Sequence, residues 1–455
     1  MLHPLKIRAD SPVSLWAIIF YFGTRTLCAL TYLEQNIFCI RNEAIGRTPS
    51  ARVRSSCQAA KLIFPAGLAC AGLRPHFLPV RFPGPVVLLL ALLHVYIGVR
   101  LLLPFDTVTQ LGGGALLAVC FWFLPKGFRI RDDRGPWAVM LPWLTMGFFS
   151  YLLVLTIVRD VSLILSALAL STQAHEFWIR VSAIGVMALT AAITLVGFFM
   201  ARRVAPIVNV DVPLAGLPKE LEGFTIVQIT DLHVGQTIKR NFVAAIVDRV
   251  NRLEADMIAI TGDVVDGSVP DLAHHTEPLA RLASRHGTYF VTGNHEYYSG
   301  ADAWIRELER LGAKALMNEH VVLDHDGAAL TVAGVTDWSA HHFDPAHKSD
   351  PHAAAKGAPE HAPKVLLAHQ PRSAHVAEAA GYHLQLSGHT HGGQFWPWNF
   401  LVRLQQPFTA GLHRLGRMWV YTSRGTGYWG PPLRFGAPSE ITALRFVRAL
   451  TQVVA

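Results

Sequence analysis

Side chains of the kinds that bind divalent metals recur at five places in the second half of this 455-residue chain. The five motifs are Asp231-Leu232-His233, Gly262-Asp263-Val264-Val265-Asp266, Gly293-Asn294-His295-Glu296, the lone His369, and Gly388-His389-Thr390-His391. Apart from Glu296, they supply three carboxylates, one amide and five imidazoles. Such oxygen and imidazole ligands suit Mn²⁺, Fe²⁺, Fe³⁺ or Zn²⁺, and their number suits two ions better than one.

Nearly all of these motifs begin where an apolar, strand-like run ends. The runs are Thr225–Thr230, Met257–Thr261, Tyr289–Thr292, Lys364–Leu367 and Leu384–Ser387. Because strands of an α/β sheet deliver side chains to one rim, we expect the motifs to converge. Apolar residues at helical spacing in Asn241–Leu253 and Ala301–Leu311 indicate helices between these runs. Fewer helices separate the later runs, which predicts an α/β fold with a mixed sheet or a two-sheet sandwich.

The spacing within the motifs also bears on metal binding. Asp231 and His233 are two residues apart, so on a strand their side chains share one face, and both can reach a single ion where the strand bends. Asp263 follows the next strand, where the two oxygens of one carboxylate can bridge two ions.

In this order, the five motifs resemble those of the calcineurin-like metallophosphoesterase superfamily, from about Gly223 to the C-terminus. The later motifs Gly392-Gly393-Gln394, Tyr421-Thr422-Ser423-Arg424-Gly425 and Pro438-Ser439-Glu440-Ile441-Thr442 are similar to a bacterial, membrane-associated branch. The resemblance implies a four-layer αββα sandwich over residues 223–455. It further implies that Asp231, His233, Asp263 and His391 bind one metal ion and that Asp263, Asn294, His369 and His389 bind a second.

The resemblance also implies an activity, that of a metal-dependent phosphoesterase. Such a hydrolase would cleave a phosphoester or pyrophosphate by attack of a metal-bridged hydroxide. His295 would protonate the leaving oxygen, a role typically worth ~10²–10⁴-fold in rate. Asp266 would orient that imidazole. A lipid-linked substrate is one option, and phosphomonoesters, phosphodiesters and nucleotides are others.

Residues close to the motifs admit more than one interpretation. Glu296 either supports the site or caps a helix. Arg424 and Arg434 either contact substrate phosphate or form surface salt bridges. An aromatic cluster follows the last metal motif and consists of Phe395, Trp396, Trp398 and Phe400. It lines a groove for an acyl or base moiety, enters the bilayer interface, or packs in the core.

Charge is distributed unevenly along the chain. The first 203 residues carry 19 Lys and Arg against 8 Asp and Glu, whereas the remainder carries 21 against 24. The net charge of +8 therefore arises beside apolar segments, where basic loops decide how helices cross a bilayer. The sequence pI of about 9.4 does not indicate nucleic-acid binding, and no nucleic-acid partner is expected.

Four segments have the length and composition to span a membrane: Pro85–Pro104, Val108–Leu124, Pro136–Val158 and Val181–Met200. Asp160–Ser171 is apolar but too short, and we predict an interfacial or buried segment there. Basic residues follow the second and fourth spans, at Lys126, Arg129, Arg131, Arg134, Arg202 and Arg203. The positive-inside bias then predicts a multi-pass protein of the inner (cytoplasmic) membrane whose catalytic domain faces the cytoplasm.

These patterns divide the chain into four parts. Residues 1–75 have no assigned function, 76–203 form the transmembrane region, 204–222 an extended linker, and 223–455 the catalytic domain. The five cysteines all precede the catalytic domain, so neither a disulfide framework nor a thiolate metal site is expected there.

Two other functions are compatible with this organisation. The helices could form a transporter or sensor that the phosphoesterase domain regulates, which predicts ionisable residues inside the spans. His94 and Arg100 are such residues in the first span. A catalytically inactive binding module is the other alternative, although every matched ligand position is present.

Overall fold

The computed structural model of the chain describes residues 84–127 and 135–449. The N-terminal segment 1–75 therefore lies outside the described residues, as do the basic residues Arg129, Arg131 and Arg134. These described residues belong to one compact unit, in which the helical region and the catalytic domain are in contact.

The described part of the chain begins with four long helices, α1 (Gly84–Leu102), α2 (Thr107–Phe123), α3 (Pro136–Ala169) and α4 (Thr172–Arg202). All four are long and apolar enough to cross a membrane. Side chains define where two of them begin: the Asp106 carboxylate accepts hydrogen bonds from the first amides of α2, and the Ser171 hydroxyl caps α4.

Helix α3 is longer than the sequence predicted. Asp160–Ser171 is not separate from the third predicted span, because α3 continues through it to Ala169. Its interfacial location stays a prediction. The charge at Arg159 does not interrupt the helix, since its guanidinium donates to the carbonyl oxygens of Arg100 (3.0 Å) and Ile179 (2.8 Å). With 34 residues, α3 is about 51 Å long, well beyond a hydrocarbon core of ~30 Å.

Strands and shorter helices follow α4. The first part comprises β1 (Ile207–Leu214), β2 (Thr225–Ile229), α5 (Arg240–Asn251), β3 (Met257–Ile260), α6 (Val269–Thr276), β4 (Thr288–Phe290), α7 (Asn294–Ser299), α8 (Ala301–Arg310), β5 (Ala313–Ala315) and β6 (Glu319–His325). The second part comprises β7 (Ala328–Gly334), α9 (Pro351–Ala355), β8 (Lys364–Leu367), α10 (Ala374–Ala379), β9 (Leu384–Ser387), α11 (Trp398–Leu401), β10 (Gly411–Leu415), β11 (Met418–Thr422) and β12 (Ile441–Arg448).

The strands form two six-stranded mixed sheets. The strand order is β1-β12-β2-β3-β4-β5 in the first sheet and β10-β11-β9-β8-β7-β6 in the second. Strands β2, β3 and β4 run parallel to one another, as do β7, β8 and β9. Their carboxyl ends therefore lie at one edge of each sheet.

The two sheets pack face to face. Apolar residues of both sheets, such as Met257 and Val365, share one core. Helices α5 and α8 cover the outer face of the first sheet, and α9 and α10 cover that of the second. The domain is therefore the four-layer αββα sandwich that the resemblance implied. Burial on both sides explains why β3 has a continuous apolar sequence, and every residue of β3 and β9 is buried.

Strand β1 lies within residues 204–222, which the sequence predicted to be an extended linker. The segment is extended, and it pairs in parallel with β12, beginning at Ile207 opposite Ile441. It therefore forms an edge of the first sheet and connects α4 to the domain with few intervening residues.

Candidate metal centre

Both sheets contribute to the site. The loops after β2, β3 and β4 carry Asp231, His233, Asp263 and Asn294, and the loops after β8 and β9 carry His369, His389 and His391. A parallel bridge between Val234 and Val265 joins the first two loops. Between the sheets, the buried Gln228 amide donates to the Ser387 carbonyl (3.0 Å). These contacts hold the two sheet edges at which the ligands meet.

One group of potential ligands consists of Asp231, His233 and His391, all of which are buried. Nε2 of His391 lies 3.0 Å from Nε2 of His233 and 3.4 Å from Oδ1 of Asp231. Burial raises the pKa of Asp231, whereas burial and the neighbouring Arg434 charge hold the pKa of His391 well below its usual value. The His391 imidazole is therefore neutral, as a metal ligand must be.

A second group consists of Asp263, His369 and His389. Nε2 of His369 lies 3.1 Å from Oδ2 of Asp263 and 3.2 Å from Nδ1 of His389. Burial lowers the pKa of His389 to about 3. Although burial opposes ionisation of Asp263, the surrounding imidazoles, chiefly His369, hold its pKa well below the usual range. This group thus combines an ionised carboxylate with the neutral imidazole of His389, whereas the carboxylates, chiefly Asp263, raise the pKa of His369 despite its burial.

Asn294 adds an amide oxygen to the centre. The residue as a whole is 7% exposed, but its Oδ1 atom is fully buried and accepts no hydrogen bond. A buried acceptor without a partner costs about 1–3 kcal/mol unless another group satisfies it. A cation bound by this oxygen would satisfy it, so the amide fits the metal ligand that the resemblance implied.

Asp263 lies between the two groups. Its Oδ2 is 3.1 Å from His369 of the second group and 3.9 Å from His233 of the first. The two buried carboxylates, one amide oxygen and four imidazoles fit a pair of divalent cations in number and in chemical type. The buried clusters are therefore consistent with a centre for two metal ions.

The backbone at the ligands is strained. Five of the potential ligands have φ between 50° and 69°, a region that residues other than glycine rarely adopt. They are Asp231, His233, Asp263, His389 and His391. Each such residue costs on the order of 1–3 kcal/mol. The conformation turns the chain sharply after each strand end and aims main-chain amides at carboxylates, as with the His389 amide and Asp231 Oδ1 (3.0 Å).

His295 and Asp266 form a pair beside the ligand groups. Oδ1 of Asp266 lies 2.7 Å from Nδ1 of His295 and 2.9 Å from Nδ1 of His233. Burial alone would lower the pKa of His295, but the carboxylates of Asp263 and Asp266 outweigh it and raise the pKa to about 9. The sequence predicted an Asp266–His295 pair, and it did not indicate that Asp266 also orients the potential ligand His233.

Glu296 combines the two roles that the sequence left open. Its carboxylate accepts a hydrogen bond from the Gly293 amide, which caps α7, and others from the amides of Asp263 (2.9 Å) and Val264 (2.7 Å). It thus caps a helix and also holds the loop of the central carboxylate in place.

Arg434 is not a surface residue. It is fully buried, and its guanidinium donates to the carbonyls of Arg424 and His391 and to Nδ1 of His391 (2.9 Å). The surface salt-bridge interpretation is therefore wrong for Arg434, whose N–H groups hold the His391 loop together. Arg424 forms an ion pair with the buried Glu440 (2.6 Å). The sequence around Arg434 contains no signal for its contact with His391, which is 43 residues away in the chain.

The loop of residues 430–436 joins the site to the membrane helices. Leu433 is fully buried against Gly147 of α3, and the Arg434 amide donates to the Gly197 carbonyl of α4 (3.0 Å). At the end of α4, Arg202 donates to Tyr428 Oη (2.8 Å). The helices therefore contact the loops that carry and support the metal ligands.

Comparison with known proteins identifies the family to which the sequence is similar. The sequence profile of the calcineurin-like phosphoesterases matches residues 224–393. A Bos taurus transmembrane protein with metallophosphoesterase domain is 40% identical over 56% of this chain and 60% of its own length. An uncharacterized metallophosphoesterase of Helicobacter pylori is 40% identical over 55% of this chain and 66% of its own length. One of Aquifex aeolicus is 32% identical over 50% of this chain and 85% of its own length.

The αββα sandwich and its buried Asp and His clusters define a phosphoesterase-type metal-binding fold. This chain belongs to the calcineurin-like phosphoesterase family. It spans only about three fifths to two thirds of the bovine and Helicobacter relatives that it matches. Relatives occur in vertebrates as well as in bacteria.

Proposed function

We propose that the protein is a membrane-tethered phosphohydrolase that uses two divalent metal ions to cleave a phosphoester or pyrophosphate bond. The observation that carries the proposal is the position of Asp263, whose carboxylate lies between two buried groups of potential ligands. We also assign the chain to a branch of the family that places membrane helices ahead of the enzyme. That this branch is a bacterial one is part of this proposal.

The chain's own residues divide the work of the reaction. One ion would be held by Asp231, His233, Asp263 and His391. The other ion would be held by Asp263, Asn294, His369 and His389. When bound, such a pair of ions supplies a water nucleophile of lowered pKa and neutralises charge on the phosphoryl oxygens. Manganese, iron and zinc all suit these donors.

His295 would donate the proton that the leaving oxygen needs. Its side chain is 15% exposed, whereas that of His233 is 1% exposed, so the His295 ring reaches the surface of the site. The adjoining carboxylates favour its protonated form. Asp266 holds Nδ1, which leaves Nε2 to face the substrate. The pair thus performs general acid catalysis.

Replacement of Asp263 tests the metal-dependent reaction. In the full-length protein, we expect Asp263→Ala to lose metal and to reduce hydrolysis of an aryl phosphate with added Mn²⁺. The loss should exceed the ~10–100-fold that removal of an outer-shell partner typically costs. Metal analysis and turnover of the purified variant measure both effects.

Asp248→Ala serves as the matched control, because this carboxylate is half exposed and pairs with Arg281 on the surface. It should retain both metal and activity. Undiminished turnover and metal content in Asp263→Ala would refute the proposal.

A transporter or sensor remains the second candidate, and one observation favours it. Asp160 of α3 accepts hydrogen bonds from Tyr96 (2.7 Å) and Arg100 (2.9 Å) of α1, so ionisable groups do meet inside the helical region. These charges satisfy one another, which also explains them as contacts between helices. Ligand flux through the full-length protein in vesicles would favour transport, provided that Asp263→Ala leaves this flux unchanged.

A further inference from the structure

A short segment next to the metal centre exposes large apolar side chains. We call residues 398–404, which include α11, the apolar strap. Phe400, Leu401 and Leu404 are 58%, 41% and 80% exposed, and Arg403 is exposed among them. Large apolar groups exposed side by side, with a charged rim, mark a surface that meets a partner.

The strap is attached to the loops of two potential metal ligands. A Cβ atom on Gly393 would lie 2.2 Å from Cα of Asn399, so only glycine allows the strap to approach the turn that follows His391. Arg372 follows His369 by three residues. At the other end of the strap, its guanidinium donates to the Gln405 carbonyl (2.8 Å). The strap is therefore held next to the loops that carry His391 and His369.

The strap is also attached to a membrane helix. Nε1 of Trp398 donates to Oγ of Ser150 in α3 (3.0 Å), and the rings of Phe395 and Tyr151 are 5.4 Å apart. Helix α3 is one of the four candidate spans. The exposed apolar side chains thus adjoin a segment that contacts a candidate membrane-spanning helix.

The composition of the strap fits the boundary between lipid and water. Aromatic residues are favoured there, and apolar side chains interspersed with arginine bind at the level of the headgroups. Arg403 and the neighbouring Arg372 suit anionic lipids. We propose that the apolar strap lies in the headgroup region of the bilayer and holds the metal centre beside it. The proposal rests on α3 crossing the membrane and not on the reaction.

Depth-dependent quenching tests this placement. The full-length protein, with its native cysteines replaced by serine, carries an environment-sensitive fluorophore on Leu404→Cys in vesicles of phosphatidylcholine and phosphatidylglycerol. Lipids with a nitroxide near the headgroup should quench this fluorophore strongly. Val322→Cys is the matched control, because Val322 is apolar and 46% exposed on β6, at the edge of its sheet opposite β10. It should not be quenched.

Two results would overturn the proposal. One is equal quenching at the two positions. The other is a Leu404→Cys fluorophore that lipids do not quench but that transfers energy to a second labelled copy, which would assign the strap to self-association.

Arg403→Glu should reduce quenching more in vesicles with phosphatidylglycerol than in those without it. An unchanged ratio of quenching in the two kinds of vesicle would contradict the role of anionic lipid. Quenching needs no catalysis, so an inactive but quenched protein would refute only the hydrolase proposal.

Discussion

At the scale of single residues, the carboxylates around the candidate centre have different tasks. Asp263 lies between the two ligand groups, whereas Asp266 lies between the imidazoles of His233 and His295. Asp266 therefore couples the orientation of a potential metal ligand to that of the proposed acid. Changes at Asp266 should affect both metal binding and proton transfer, and those at His295 only proton transfer.

The role of His295 predicts a dependence on the leaving group. His295→Ala should lower the turnover of an alkyl phosphoester about 10²–10⁴-fold, because an alkoxide needs a proton as it departs. An aryl phosphate with an acidic leaving group should lose much less. Steady-state kinetics with both substrates, together with metal analysis, measure the difference.

His413→Ala is a suitable control for this experiment. His413 is exposed on β10, and its imidazole hydrogen-bonds to the nearby Ala410 carbonyl. It should leave both rates unchanged. Equal losses for the two substrates in His295→Ala would argue against proton donation and for a structural role.

At the scale of elements, the loop of residues 430–436 connects the membrane helices to the metal centre. The Gly197 carbonyl of α4 accepts from the Arg434 amide, and the Arg434 side chain donates to His391. Leu433, beside Arg434, fills the space that Gly147 leaves on α3. Displacement of either helix should therefore move the loop that carries His391.

Gly147→Leu tests this connection. A Cβ atom there would lie 2.1 Å from Cδ1 of the fully buried Leu433, which has little room to move. Overpacking of this kind costs about 1–3 kcal/mol. Thermal unfolding of the full-length protein in detergent should show a lower Tm, and metal content and turnover should fall with it.

Gly185→Leu is the matched helix control, because Gly185 of α4 is exposed and no heavy atom lies within 4 Å of its would-be Cβ. Its Tm should stay near that of the parent protein. If the two variants had equal Tm values and equal activity, the helices and the site would be independent.

At the scale of the whole molecule, the helices pack against the αββα domain. Arg202, the last residue of α4, donates to Tyr428 and to the Thr237 carbonyl, both at 2.8 Å. A cluster of positive charge thus coincides with the end of α4 that contacts the domain. The positive-inside bias favours the cytoplasm for that side.

This orientation is testable with a pair of cysteines. Glu309→Cys lies on the exposed surface of α8, and Leu170→Cys lies in the turn between α3 and α4, at the other end of the helices. A membrane-impermeant maleimide should label Leu170→Cys in intact cells and Glu309→Cys in inverted vesicles. The reverse pattern would place the domain outside the cytoplasm.

The sequence alone predicted those features that depend on local spacing. Apolar runs that end in polar motifs indicated β2, β3, β4, β8 and β9, and thereby the positions of the eight Asp and His residues that form three clusters in the structure. Length and apolar composition sufficed for the four candidate spans, because a hydrocarbon core sets both requirements.

Only the tertiary structure decided features that depend on residues far apart in the chain. Burial of Arg434 depends on Gly197 and His391, and the exact extent of α3 depends on the partners of Arg159 in α1 and α4. Local periodicity contains no information on such contacts, because they form only when separate elements pack. The sequence therefore determined which residues could bind metal, and the packing of helices against sheets decided what holds them in place.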